Sequence, residues 1–178
     1  MTANIKVKDR DTLLEISYED MIKYAGRFHI GGVAIAFKVL ELGFSKLLPG
    51  GEIPSRKKIG FASGLGESAM GVLDAVEMAT RARTRGNMNA DIALGRDIEA
   101  PQNPDGGKFY FELSYGDVKL GLALKMGLIP EEFTYLLRIA MDRPLSKEEA
   151  KRLQEVKEEI AASVISMEAE DLFNCIYY

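Results

Sequence analysis

From Val33 to Leu48 the chain is apolar at nearly every position, with polar residues held to Lys38, Glu41 and Ser45 and with Lys46 beside them. So narrow a polar stripe at helical spacing predicts a helix buried on most sides, either in the core or against a second copy of the chain. Pro49-Gly50-Gly51 stops it. Upstream, Ser17 followed by Asp20 reads as an N-cap with an acidic first turn, opening a helix across Met21, Ile22, Tyr24 and Ala25.

Downstream the pattern changes. Lys58 to Ser63 reads as a short strand, Gly64-Leu65-Gly66-Glu67-Ser68 as a loop, and about Ala69 to Arg83 as a helix. On that helix Asp74, Glu77 and Arg81 share one face, and Val72, Leu73, Val76 and Ala79 form the apolar side. Ala90 to Gly95 is a further candidate strand. Phe109, Phe111, Leu113 and Tyr115 then alternate with polar positions, Gly116-Asp117 suits a two-residue turn, and Val118, Leu120, Leu122 and Leu124 alternate on the return. This predicts a β-hairpin.

Pro130-Glu131-Glu132 opens a helix with proline in its first turn and acids at its positive end, and Pro144 breaks it. Ser146-Lys147-Glu148-Glu149 is a capping box ahead of a long amphipathic helix with the stripe Leu153, Val156, Ile160, Val164 and Met167. The ending, Leu172 to Tyr178, is apolar enough to dock as a terminal strand. Helices mixed with an antiparallel hairpin predict an α+β fold, with residues 1–178 as one domain in which 144–178 form a helical extension and docking strand.

Length and composition narrow the classes. At 178 residues, 47% hydrophobic and 28% charged, the chain is ordinary for a single globular domain. A net charge of -4 carries no broad basic field, so a nucleic-acid binder is not expected. No stretch reaches the ~20 uncharged residues of a membrane span, and Met1 to Arg10 lack the apolar run of a secretory signal, so the expected location is the cytoplasm. The single cysteine, Cys175, excludes an internal disulfide and an all-thiolate zinc site within one chain.

Candidate chemistry centres on the one histidine, His29, which precedes Gly31 and Gly32 at the head of the apolar helix. Two glycines leave room and free backbone N–H groups beside an imidazole, as in many ligand sites; the competing reading is a hydrogen-bonded core histidine. A metal at His29 would need carboxylates such as Glu67 or Asp74 to complete its shell. Those same acids are the candidates for acid–base catalysis, though no constellation names a reaction, and a solvated face explains them equally. Arg81, Arg83 and Arg85 have forks that match carboxylate or phosphate, or they form a solvated helix end. Gly64-Leu65-Gly66-Glu67-Ser68-Ala69 has the G-x-G-x-x-A spacing of a pyrophosphate loop, but Asp91 falls at the start of the candidate strand rather than its end, against a dinucleotide site.

Read in order, these segments resemble the FmdE family of formylmethanofuran dehydrogenase proteins. Ala25-Gly26-Arg27-Phe28-His29 followed by Gly32 to Lys38 is similar to that family's F-H-G-H-x-C-P-G-x-A-x-G-Y-R signature. Glu67, Asp74-Ala75-Val76-Glu77, Thr80 and Arg85-Gly86-Asn87 resemble its E…D-A-I-Q…T-G-C-T-x-G-K-G-N block. The chain departs from the pattern where the ligands belong: Ile30-Gly31-Gly32 is too short for the second histidine and its cysteine, and Gly71 and Ala82 stand where the family has cysteines.

The resemblance implies an α+β homodimer with a pocket near His29, acting as a binding or accessory protein of anaerobic one-carbon or redox metabolism with a degenerate metal site. Gly31 and Gly32 would permit close approach of a ligand, with Glu67 and Asn87 as secondary contacts by motif position. A different reading places a haem-like tetrapyrrole between two copies of His29 in a twofold dimer, its propionates met by Arg81, Arg83 or Arg85. The cofactor itself, metal ion or haem, stays open.

Overall fold

The computed structural model describes residues 3–178, so of the amino-terminal stretch read for a secretory signal, Met1 and Thr2 lie outside the described residues. The chain is α+β. Its element order is β1 (Ile5–Asp9), β2 (Thr12–Ile16), α1 (Tyr18–Ala25), α2 (Ile30–Leu47), β3 (Ile59–Ser63), α3 (Met70–Thr80), β4 (Met88–Ala90), β5 (Tyr110–Tyr115), β6 (Val118–Leu124), α4 (Glu131–Asp142), α5 (Lys147–Ser166), α6 (Ala169–Leu172) and β7 (Phe173–Tyr177). Single 3₁₀ turns occupy Arg27–His29 and Arg56–Lys58.

β1 and β2 form a separate hairpin, and the main sheet runs β4-β3-β5-β6-β7. β3 and β4 are parallel, joined through α3, while every other neighbour is antiparallel. Alternation along the strands sends Phe61, Phe111, Leu113, Leu120, Leu122 and Leu124 into the main core. The opposite face carries a smaller cluster of Tyr110, Ala123 and Ala100, covered by Leu94 and Ile98.

The apolar run predicted as a helix is α2, and the core surrounds it. It packs on α3 and α5 at one side and on β5 and β6 at the other. Even Lys38 is only 4% exposed, its ammonium held 3.1 Å from Glu41. The N-cap read at Ser17 forms, with Asp20 completing a capping box, and the capping box read at Ser146–Glu149 forms as well, each hydroxyl accepting from the third backbone N–H while the acid accepts from the cap N–H.

Within residues 144–178, α5 lies along α2, and β7 completes the sheet against β6. Two boundaries differ from expectation. The strand near Ala90 is Met88–Ala90, because Asp91 accepts from Ala93 N–H at 2.8 Å and turns the chain where Ala90–Gly95 was expected to stay extended. α3 ends at Thr80, where Glu77 accepts from the N–H of Arg83 at 2.7 Å and from Thr84, tying the next turn back onto the helix. The β1–β2 hairpin is an element that the residue pattern did not predict.

Candidate functional site

His29 ends the 3₁₀ turn and begins α2, and it borders a cavity of about 510 Å3 rather than lying sealed in the core. The volume falls in the range of about 300–1,000 Å3 usual for small-molecule sites. α2, the amino-terminal turn of α3, α4 and α5 enclose it. Its walls are Ile35, Leu65, Phe109, Ile129, Phe133 and Leu137, with Leu153 and Ile160 from α5.

α4 builds one wall by its spacing. Phe133, Leu137 and Ala140 recur at i, i+4 and i+7 and face the hollow, while Leu136 is the helix's buried residue. Phe133 and Leu137 also pack at the edge of the core, so the stripe is partly buried. Exposed Phe28, Met70 and Met141 stand among the lining residues, so the mouth carries apolar surface.

Polar groups are few. His29, Ser68, Asn103, Asp105 and Lys157 are among them. The Lys157 ammonium lies 3.5 Å from the Phe28 ring centroid and donates to the Phe28 carbonyl at 3.2 Å, and burial lowers its pKa below the ordinary lysine value. The Phe28 and His29 rings meet edge to face at 5.1 Å. Asn103 Oδ1 is buried without a hydrogen-bond partner. Asp105 accepts from the Gly107 N–H at 2.9 Å.

Both glycines read beside His29 line this cavity, but their main task is different. A Cβ on Gly32 would stand 3.1 Å from the Val72 nitrogen, and one on Gly71 would stand 2.5 Å from the His29 carbonyl oxygen. Missing side chains therefore let α2 and α3 cross backbone to backbone. Gly31 faces the Lys157 carbonyl of α5, with its Cβ position at 3.6 Å.

The other predicted residues do not gather here. Glu67 is exposed and ion-paired to Arg83, and neither lines the cavity. Asn87 borders a different hollow beside Gly60 and Ser114. Arg81 and Arg85 belong to a third, at the other end of α3. Within one chain no arginine of this group shares the hollow with His29.

Among the described residues no three His, Cys, Asp or Glu side chains come together to hold an ion. Gly71, at the place of a family cysteine, touches the His29 backbone too closely to carry any side chain without displacement. Neither Glu67 nor Asp74 lines the cavity, and the carboxylate that does is Asp105.

The glycines of the 64–69 loop serve close packing. Asp91 follows the last residue of β4, opposite to the expectation, yet its carboxylate is engaged by Ala93. A Cβ at Gly64 would meet the Leu94 carbonyl at 2.6 Å and one at Gly66 the Ile92 side chain at 2.6 Å, so the missing side chains let the 92–94 turn pack against the loop.

Sequence reasoning missed Lys157, Asn103 and the whole α4 wall. Only the α4 stripe left a periodic signal; Lys157 lies off the apolar stripe of the helix read as amphipathic. No helix among the described residues is long and apolar enough to cross a membrane. No protein-family model and no curated protein matches this chain.

Proposed function

We propose that this chain is a small-molecule binding protein, and that the cavity beside His29 holds a predominantly apolar molecule with one anionic end. The observation that carries the reading is the cavity itself, apolar over most of its wall with His29 and Lys157 set at one part of it. Removing apolar ligand surface from water contributes about 25 cal/mol per Å². An ammonium whose charge burial already disfavours gains more than an exposed one from an anionic partner.

The family resemblance supports the same location without its metal chemistry. It groups the functional residues around the start of α2 and α3, and Gly71 lies directly against His29. On this reading the protein is a homodimeric, cytoplasmic accessory protein of the FmdE type whose ligand site has exchanged metal ligands for an apolar hollow.

Decanoate tests it. The chain contains no tryptophan, so Leu137→Trp places a lone fluorophore in the α4 wall while also filling the cavity. Calorimetry is expected to give saturable one-to-one binding of decanoate to the wild type, weakened several-fold by His29→Ala or Lys157→Met and more by Leu137→Trp. Absence of saturable binding to the wild type, or undiminished binding to Leu137→Trp with its emission unchanged, overturns the reading.

A further inference from the structure

A second cleft, of about 530 Å3, lies between the tip of the β1–β2 hairpin, the 3₁₀ turn at Arg56–Lys58 and the carboxyl end of α3. Its lining brings together Arg10, Arg56, Lys57, Arg81 and Arg85 against one acid, Asp9. That excess of positive charge occurs in a chain whose net charge is -4.

Part of the cluster has a structural task. Arg56 donates to the carbonyls of Ala79 and Met78 at 2.9 and 2.8 Å, and its third nitrogen lies 3.4 Å from Asp9. Arg85 donates to the Thr80 carbonyl at 2.6 Å. Guanidinium groups at the negative end of α3 are favourable in themselves.

What remains has no such explanation. Arg85 Nε and Nη1 are buried without a partner. Arg10, Lys57 and Arg81 make no ion pair among the described residues. Glu77 is engaged by the Arg83 N–H and the Thr84 hydroxyl. Burial, and after it the charges of Arg56 and Arg81, hold the Arg85 guanidinium below the ordinary arginine range, with Glu77 opposing.

The backbone points the same way. Among the described residues Arg10 and Arg81 alone adopt a positive φ without being glycine, at 56° and 55°. Both line this cleft. In that conformation a Cβ crowds the neighbouring carbonyl, and a hairpin tip or helix end ordinarily takes glycine or asparagine there. Two strained positions filled by arginine, converging on one cleft, favour a role for the side chains.

We propose that this cleft binds the diphosphate group of a small polyanionic molecule, contacted by Arg10, Lys57 and Arg81 with Arg85 supplying charge from beneath. Leu14 is the apolar residue of the lining, so an apolar body has little to rest on. A monocarboxylate would neutralise one charge of several, whereas a diphosphate offers the oxygens and the charge that guanidinium forks match.

The test is calorimetry of inorganic pyrophosphate at low ionic strength against the intact chain. Glycine keeps the left-handed backbone at both strained positions, so the Arg10→Gly/Arg81→Gly variant isolates the side chains from the fold. Expected are saturable binding to the wild type, at least a tenfold loss in the double variant with its thermal midpoint maintained or raised, and little change in Lys147→Gln/Lys151→Gln. No saturable binding to the wild type overturns the proposal. So does undiminished binding by the glycine variant, or an equal loss in the lysine control, which would mean net charge alone attracts the anion.

Discussion

The two ends of α3 build opposite hollows. At its amino end the crossing with α2 leaves a cavity walled by Ile35, Phe109, Phe133 and Leu137, with Lys157 and Asp105 the charged residues there besides the imidazole. At its carboxyl end the cleft is lined by arginines and Asp9 with Leu14 the apolar exception. Each lining sets what its hollow is fit to hold: the first gains from displacing water from apolar surface, the second from bringing an anion among charges that repel one another.

The largest effect that should fall on one hollow and spare the other comes from separating α2 and α3. Gly71→Ala puts a methyl 2.5 Å from the His29 carbonyl, and forcing the helices apart is expected to cost about 3 kcal/mol in urea unfolding. It should also abolish decanoate binding while leaving pyrophosphate binding in the folded fraction. A loss below about 1 kcal/mol would mean the crossing relaxes freely.

Next in size is the support of α5, which supplies Leu153, Lys157 and Ile160 to the first cavity. Ser146→Ala removes the cap hydroxyl that accepts from Glu149 N–H at 3.1 Å and is expected to lower stability by about 1 kcal/mol. Hydrogen exchange should quicken in the first turn of α5 and not at the hairpin tip.

A smaller effect, of opposite sign, belongs to the cationic cleft. Arg81→Gly relieves a left-handed φ of 55° and is expected to raise stability by about 0.5–1 kcal/mol. Greater stability with weaker anion binding is the signature of a position held for function.

The smallest effect is set by pH. Hydrogen bonds from Arg143 and the Ser146 backbone push the Glu149 pKa down to about 2, so the folded state binds its proton less readily than the unfolded chain. That contribution is complete above the ordinary glutamate value and fades as the pH falls toward 2. Protection of the amides in the first turn of α5, taken as the exchange rate relative to its intrinsic value at each pH, should therefore fall over that window and stay constant above it.

How much was legible follows from how local each signal is. α2, the β5–β6 hairpin, both capping boxes and the terminal strand are written in spacings of a few residues, and all of them form. His29 was readable as a cavity residue because it is unique and flanked by glycines. Its partners were not, since Lys157 reaches it from a helix more than a hundred residues away and Asn103 from a loop whose course depends on the sheet. Of the residues grouped with His29 by motif, Asn87, Arg81 and Arg85 stand past the carboxyl end of α3 and line other hollows, while Glu67, just ahead of its amino end, is paired with Arg83. Arg10 and Arg56 join Arg81 and Arg85 only through the hairpin at the amino terminus, which no residue pattern announced.

Methyl NMR of the isotopically labelled wild type, titrated with decanoate, addresses the His29 cavity without any substitution. Saturable shifts are expected at Ile35, Leu65, Ile129 and Leu137, which line that cavity, and none at Leu14 in the cationic cleft. Shifts that are absent, or spread over the surface with Leu14 moving as much as Leu137, would contradict a ligand site beside His29.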